Sequence, residues 1–271
     1  MIPKDQQQKD IDEEITNARM RASTGAKSKF SFRSALSYSG GSVEKPFDRI
    51  RPAYRSARNS LVDTRLGGSI AMKYRATDRD NLNFGTGVSL LTPFHNKSSE
   101  IGERTSINDP YISYERLYKV GPFQMVTDAG LSYTTDRESI AALNDRGGWS
   151  LGQTAIYSTS YGWDVGAAVS IGGTIYGDDI QDDRAALGFG VYPFAEYAFS
   201  EKVQFRTVFG YFNYSSARSN PSKLDYENPY QSVGLGFVIT RDIYLYPNVQ
   251  FLPNNIRADR TNVALSTNIN L

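Results

Sequence analysis

Two neighbouring stretches decide the fold: Arg65-Leu66-Gly67-Gly68-Ser69-Ile70-Ala71-Met72-Lys73-Tyr74-Arg75 and, a few residues on, Asn81-Leu82-Asn83-Phe84-Gly85-Thr86-Gly87-Val88-Ser89-Leu90. In the first, Leu66, Ile70, Met72 and Tyr74 share one parity, against Arg65, Gly67, Ser69, Ala71, Lys73 and Arg75. In the second, Leu82, Phe84, Val88 and Leu90 stand against Asn81, Asn83, Gly85, Gly87 and Ser89. A strict period of two is the signature of a strand with one apolar face. A turn at residues 77–80 between them predicts an antiparallel hairpin.

The same period runs outward in both directions. Before the pair, Phe30, Phe32, Leu36 and Tyr38 alternate with Ser31, Arg33, Ala35 and Ser37. After it, alternation returns around residues 112–118, 123–133, 149–157, 163–171, 187–199, 203–211, 233–239, 245–251 and 263–271, giving twelve expected strands. The connections also alternate. Short turns are expected at 77–80, 120–121, 160–162, 200–202 and 241–242, and long loops at 40–64, 92–108, 135–146, 177–184, 215–229 and 253–260. Short turns at one end and long loops at the other are the habit of transmembrane barrels, and an even strand number brings both chain ends to one side. The expected fold is all-β: a 12-stranded antiparallel transmembrane β-barrel over residues 29–271, with short periplasmic turns and long outer loops. Residues 1–28 form a polar periplasmic segment with a short helix expected at 10–20.

Composition narrows the class. The chain of 271 residues carries 30 basic and 29 acidic side chains, a balance that argues against a nucleic-acid partner. A mean hydropathy of −0.45 and the lack of an 18-residue apolar run exclude helical membrane spans but not barrel strands, which are apolar only at alternate positions. With no Cys there is no disulfide framework, thiolate metal site or cysteine nucleophile. Residues 1–28 hold no apolar signal-peptide core, so an outer-membrane location implies a signal already removed. No cofactor or metal is expected.

The two faces say which side meets lipid. The bulky face holds Leu, Val, Ile and Phe in mid-strand and Tyr38, Tyr74, Tyr118, Tyr133, Trp149, Tyr157, Trp163 and Tyr211 towards the ends, the arrangement of two interfacial aromatic girdles. The other face is rich in Gly, Ser, Ala and Asn, which suits a narrow interior. Arg116 shares the bulky face with Ile112, Tyr114 and Tyr118. Near an interface an outward Arg costs about 0–1 kcal/mol, whereas the opposite phase would put Glu115 and Lys119 in lipid.

The last residues, Val263-Ala264-Leu265-Ser266-Thr267-Asn268-Ile269-Asn270-Leu271, resemble the closing strand of outer-membrane barrel proteins. That resemblance implies recognition by the barrel-assembly machinery, although the signal here closes on Leu271 where it usually closes on Phe or Trp. Lys29-Phe30-Ser31-Phe32, Tyr38-Ser39-Gly40-Gly41-Ser42, Pro46-Phe47 and Asn108-Asp109-Pro110-Tyr111-Ile112-Ser113-Tyr114 resemble the porin-like outer-membrane proteins of predatory bacteria. That narrower likeness implies a homo-oligomer that encloses lipid.

Inward positions supply the candidate pore lining: Arg33, Arg65, Lys73, Arg75, Glu115, Asp128, Asp164, Glu196 and Arg206. In a low-dielectric interior these charges must pair or meet water. The first long loop carries Lys45, Arg49, Arg51, Arg55 and Arg58. It either folds into the barrel as a basic constriction, with Arg49, Arg51, Arg55 and Arg58 its charges, or stays outside against lipopolysaccharide phosphates. His95, the one histidine, lacks a serine nucleophile elbow, and an outer-membrane hydrolase is not expected. Asp178, Asp179, Asp182 and Asp183 lack the Gly and closing Glu of a calcium loop and read as a solvated loop bridged to lipopolysaccharide. The functional expectation is a non-enzymatic, porin-like narrow passive channel. The alternative is an oligomeric structural protein that organises outer-membrane lipid, supported by Ala155, Ala167 and Gly173 on the outward face beside Gln153.

Overall fold

Once one face of a strand is apolar, register is strongly specified, because a one-residue slip would turn every side chain to the wrong side. The computed structural model of this chain shows the consequence; it describes residues 29–52, 61–95, 105–137, 140–141, 144–177, 185–227, 229–240 and 242–270. Its strands in chain order are β1 (Phe30–Ser42), β2 (Ile50–Pro52), β3 (Leu61–Asp63), β4 (Arg65–Arg75), β5 (Asp80–Leu91), β6 (Thr105–Val120), β7 (Phe123–Tyr133) and β8 (Asp145–Ser158). They continue as β9 (Trp163–Tyr176), β10 (Ala185–Ala198), β11 (Val203–Gly210), β12 (Phe212–Ala217), β13 (Asn220–Tyr226), β14 (Tyr230–Thr240), β15 (Ile243–Phe251) and β16 (Asn262–Asn270).

All but β2 and β3 belong to one antiparallel sheet of fourteen segments. The last strand returns to the first, with Arg33 opposite Asn270 and Ser39 opposite Ala264, so the sheet closes and leaves no open edge within the barrel wall. β11 and β12 are one barrel strand interrupted at Tyr211, and β13 and β14 are another, so the fourteen segments make twelve barrel strands. The fold is the all-β, twelve-stranded antiparallel barrel expected from the alternation.

Proline accompanies two of the register shifts. On β10, Phe194 pairs with Val208 but Val191 pairs with Phe212, so an extra residue on the far strand lies opposite Pro193, which has no N–H to give. On β6 the register slips beside Pro110, between the pairs Thr86–Pro110 and Val88–Ile107, with the extra residue on the proline's own strand. Two short turns rest on glycine: Gly121 and Gly162 have φ of 56° and 81°, a region most L-residues avoid.

The two faces separate as their periods require. Phe30, Phe32, Leu66, Ile70, Met72, Phe84, Ile112, Leu131, Leu151, Val165 and Leu235 are exposed on the outer face. Ala35, Ala71, Val126, Ile156, Ala168, Tyr192, Phe194, Val208, Tyr244 and Tyr246 are buried on the inner face. Inward glycines make room for inward tyrosines: a Cβ on Gly210 would lie 2.1 Å from the Tyr230 ring, and one on Gly236 2.0 Å from the Tyr244 hydroxyl.

Three loop boundaries differ from expectation. Residues 215–229 read as a loop from their Ser, Asn and Pro content, but most of them extend the barrel hairpin as β12 and β13. Tyr214 stands opposite Tyr226 with ring centroids 5.5 Å apart, a cross-strand pair that outweighs turn-like composition. Residues 40–64 contain the β2–β3 ribbon, and β6 already begins at Thr105. The expected helix at 10–20, and the whole segment 1–28, lie outside the described residues.

Candidate functional site

Pairing places all nine candidate lining residues on the inner face. Arg33 lies on β1; Arg65, Lys73 and Arg75 lie on β4. Glu115 on β6 is directly opposite Asp128 on β7, and Asp164 on β9 is opposite Glu196 on β10. Signs are therefore largely sorted around the circumference: a basic arc on β1 and β4, then an arc of carboxylates from β6 to β10, with Lys119 of β6 sharing their face. The amide of Asn81 donates to Glu115 Oε1 at 3.4 Å where the arcs meet. Arg206 on β11 faces Glu196, Nε to Oε1 3.4 Å, with side chains 0% and 2% exposed. Its guanidinium lies 4.8 Å from the Tyr246 ring centroid, so it is held by charge on one side and a π face on the other.

One side of the interior carries Tyr192, Phe194, Tyr230, Tyr244 and Tyr246, which the sequence reading missed. Ile156, Ala168, Tyr192, Phe194, Val208, Tyr230 and Leu252 form one buried cluster, and Tyr244 and Tyr246 pack against Val238 in another. The signal was present but ambiguous. Along β15 both parities are bulky, Ile243, Leu245 and Val249 against Tyr244 and Tyr246; only the buried Asn248 and Gln250 mark the inward one. Across from this bulk, the inward positions of β1, β4 and β5 include Ser37, Gly67, Ser69, Gly85 and Gly87.

The first loop turns inward. Arg51 Nη2 donates to the side-chain oxygen of Gln250 at 3.3 Å, and Asn262 Nδ2 donates to the carbonyl of Pro52 at 2.9 Å. Gln250 and Asn262 pair with each other on β15 and β16 and are 3% and 0% exposed, so β2 rests against the inner wall. Arg49 is 3.6 Å from Asp63 across the ribbon, and Thr64 donates to the Asp48 carbonyl at 2.9 Å. Arg55 and Arg58 lie outside the described residues, as do Asp178, Asp179, Asp182 and Asp183.

Where the first loop leaves the wall, it is met by the second. Phe47 and Phe94 are edge-to-face at 5.0 Å, Phe94 meets Tyr38 at 5.2 Å, and Tyr38 donates to the Pro46 carbonyl at 2.9 Å. The His95 Nε2–H donates to the Phe47 carbonyl at 2.6 Å. Thr92 N–H donates to the Thr64 carbonyl at 2.7 Å while holding φ at 45°, a left-handed conformation costing about 1–3 kcal/mol for a β-branched residue. A third element closes over the rim: Arg218, in the β12–β13 turn, is ion-paired with Asp145 of β8 and lies 4.4 Å from the ring centroid of Tyr176 on β9.

The outward aromatics fall near the strand ends. Tyr74, Tyr118, Tyr157 and Trp163 are at the short-turn end; Tyr38, Tyr133, Trp149 and Tyr211 lie towards the long-loop end. Phe30–Tyr74, Phe123–Tyr157 and Trp163–Tyr197 pair at 5.2, 5.7 and 4.9 Å. Arg116 points outward, 3.5 Å from Asp80. Beside it, Thr127 donates to Gln153 Oε1 at 2.5 Å, a polar pair on the outer face.

No family model and no curated protein matches the chain, so the narrower likeness to proteins of predatory bacteria gains no support. Among solved structures, the barrel is similar to a crystal structure of an outer membrane channel from Pseudomonas putida F1, with TM-score 0.59 and 13% identity over 91% of this chain and 96% of that one. It also matches the KdgM porin, TM-score 0.47 and 9% identity, and the NanC porin, 0.46 and 9%, over 89% and 88% of this chain and 97% of each of theirs. This chain has the fold of the outer-membrane channels.

Proposed function

We propose that the protein is a narrow passive channel for small hydrophilic solutes in the bacterial outer membrane, without enzymatic activity. The inward β2–β3 ribbon forms its constriction. The observation that carries this reading is the seating of Arg51 and Pro52 on the inward Gln250 and Asn262. Arg51 on the ribbon, together with the inward Arg33, Arg65, Lys73 and Arg75 of β1 and β4, gives one side of the passage a positive potential, which favours anions over cations. In planar bilayers the purified protein should give small ohmic steps with an anion-selective reversal potential. Arg51→Glu should move that potential towards cation preference. A protein that inserts and conducts nothing rejects the channel.

A second reading concerns assembly. A patch of the outer face from β7 to β10 is low, with Ala155 opposite Ala167 and Ala167 opposite Pro193, beside the polar Thr127–Gln153 pair. Small residues permit close approach between membrane proteins, a rule established for helices and extended here by geometry. Self-association of copies through this face would give a mass in detergent above that of one chain, and Ala167→Trp would reduce it.

A further inference from the structure

Resting on the channel reading, we infer that His95 is the positioning residue of the constriction: the second loop is a clasp whose imidazole and aromatic rings hold the first loop inside the barrel. The β2–β3 ribbon meets the inner wall through side-chain hydrogen bonds that include those at Gln250 and Asn262. Each such bond, to a polar partner that water could replace, leaves little net free energy after exchange with solvent. The second loop adds a hold at both feet of the first. At the leading foot, Phe47 is gripped from two sides, by the His95 Nε2–H on its carbonyl at 2.6 Å and by the Phe94 ring at 5.0 Å. Tyr38 completes the grip through the Pro46 carbonyl. At the trailing foot, the Thr92 N–H takes the Thr64 carbonyl, and Thr64 in turn donates to the Asp48 carbonyl.

The strained Thr92 is the second observation. A residue held at φ 45° turns the chain so that Phe94 and His95 come back over Phe47, and the His95 N–H closes that turn on the Thr92 carbonyl at 3.0 Å. Such strain persists only where the surroundings over-determine it. His95 thus acts on conduction without facing the solute: it fixes where Arg51 sits.

The test uses the whole chain, which has no native cysteine, with spin labels at Leu61→Cys on β3 and Glu201→Cys in a short turn. The distance distribution should be narrow with His95, broad with His95→Phe and narrow again with His95→Gln, whose amide can donate from a similar position. Single-channel conductance should rise by roughly twofold in His95→Phe and return in His95→Gln, because a released loop widens the passage. An unchanged distribution in His95→Phe overturns the clasp, as does a His95→Gln protein that behaves like His95→Phe. A broadened distribution with unaltered conductance in a conducting channel overturns it too. If no variant conducts but the distances respond as stated, the clasp stands and the channel reading falls.

Discussion

At the scale of single residues, the interior is governed by how its charges are compensated. Arg206 and Glu196 are almost wholly buried, and each is tolerable because the other is 3.4 Å away. Removing one partner takes the ion pair from a charge buried in a medium of low polarity, which costs up to about 3–5 kcal/mol, while replacing both is close to neutral. Arg206→Met should accordingly lower the urea midpoint of the detergent-folded barrel sharply, and Arg206→Met with Glu196→Gln should restore most of the loss. Equal destabilisation by the single and double variants would mean that packing against Tyr246, not charge, sets the value of Arg206. The positions of these residues were legible from parity, since every inward charge named from sequence lies on the inner face. Their pairings were not: alternation says which face a side chain occupies but does not give the register, and it is the register that puts Glu196 directly opposite Arg206.

At the scale of elements, the β12–β13 hairpin shows how one buried contact can decide the fate of an exposed ribbon. All seven residues of β13 are exposed, and beyond β12 it offers a free edge. What holds it down is Arg218, its side chain 0% exposed, paired with Asp145 and laid over Tyr176. Arg218→Ala should speed trypsin cleavage after Lys223 by roughly tenfold, the equivalent of ~1.4 kcal/mol of lost closing energy, with Asp145→Asn showing a smaller effect. Cleavage at the native rate in both would place the hairpin's anchor elsewhere. Strand existence was readable over most of the barrel because a long period-two run has one physical explanation. This hairpin was hidden because Ser215-Ser216-Ala217-Arg218-Ser219-Asn220-Pro221 has loop composition, and its order comes from tertiary contacts with β8 and β9. The inward turn of the first loop was hidden for the same reason: Arg51 and Gln250 are 199 residues apart.

At the scale of the whole molecule, the claim that orders everything else is that the outward apolar band lies in hydrocarbon. Ile70 and Phe30 separate the alternatives. Both are outward and similarly exposed, 52% and 57%, but Ile70 sits in the middle of β4, whereas Phe30 begins β1 at the short-turn end. In water the two sites are equivalent, and arginine at either would be harmless or helpful. In a bilayer they differ by depth: an outward Arg costs about 2–4 kcal/mol at the midplane and about 0–1 kcal/mol near an interface. Folding into phosphatidylcholine vesicles, followed by urea titration, should therefore show Ile70→Arg strongly destabilised and Phe30→Arg nearly native. Arg116, which the protein already carries outward near that same end, is the natural precedent for the second result. Equal costs at the two positions would show that depth does not matter, and a barrel for which depth does not matter is not one that spans a membrane.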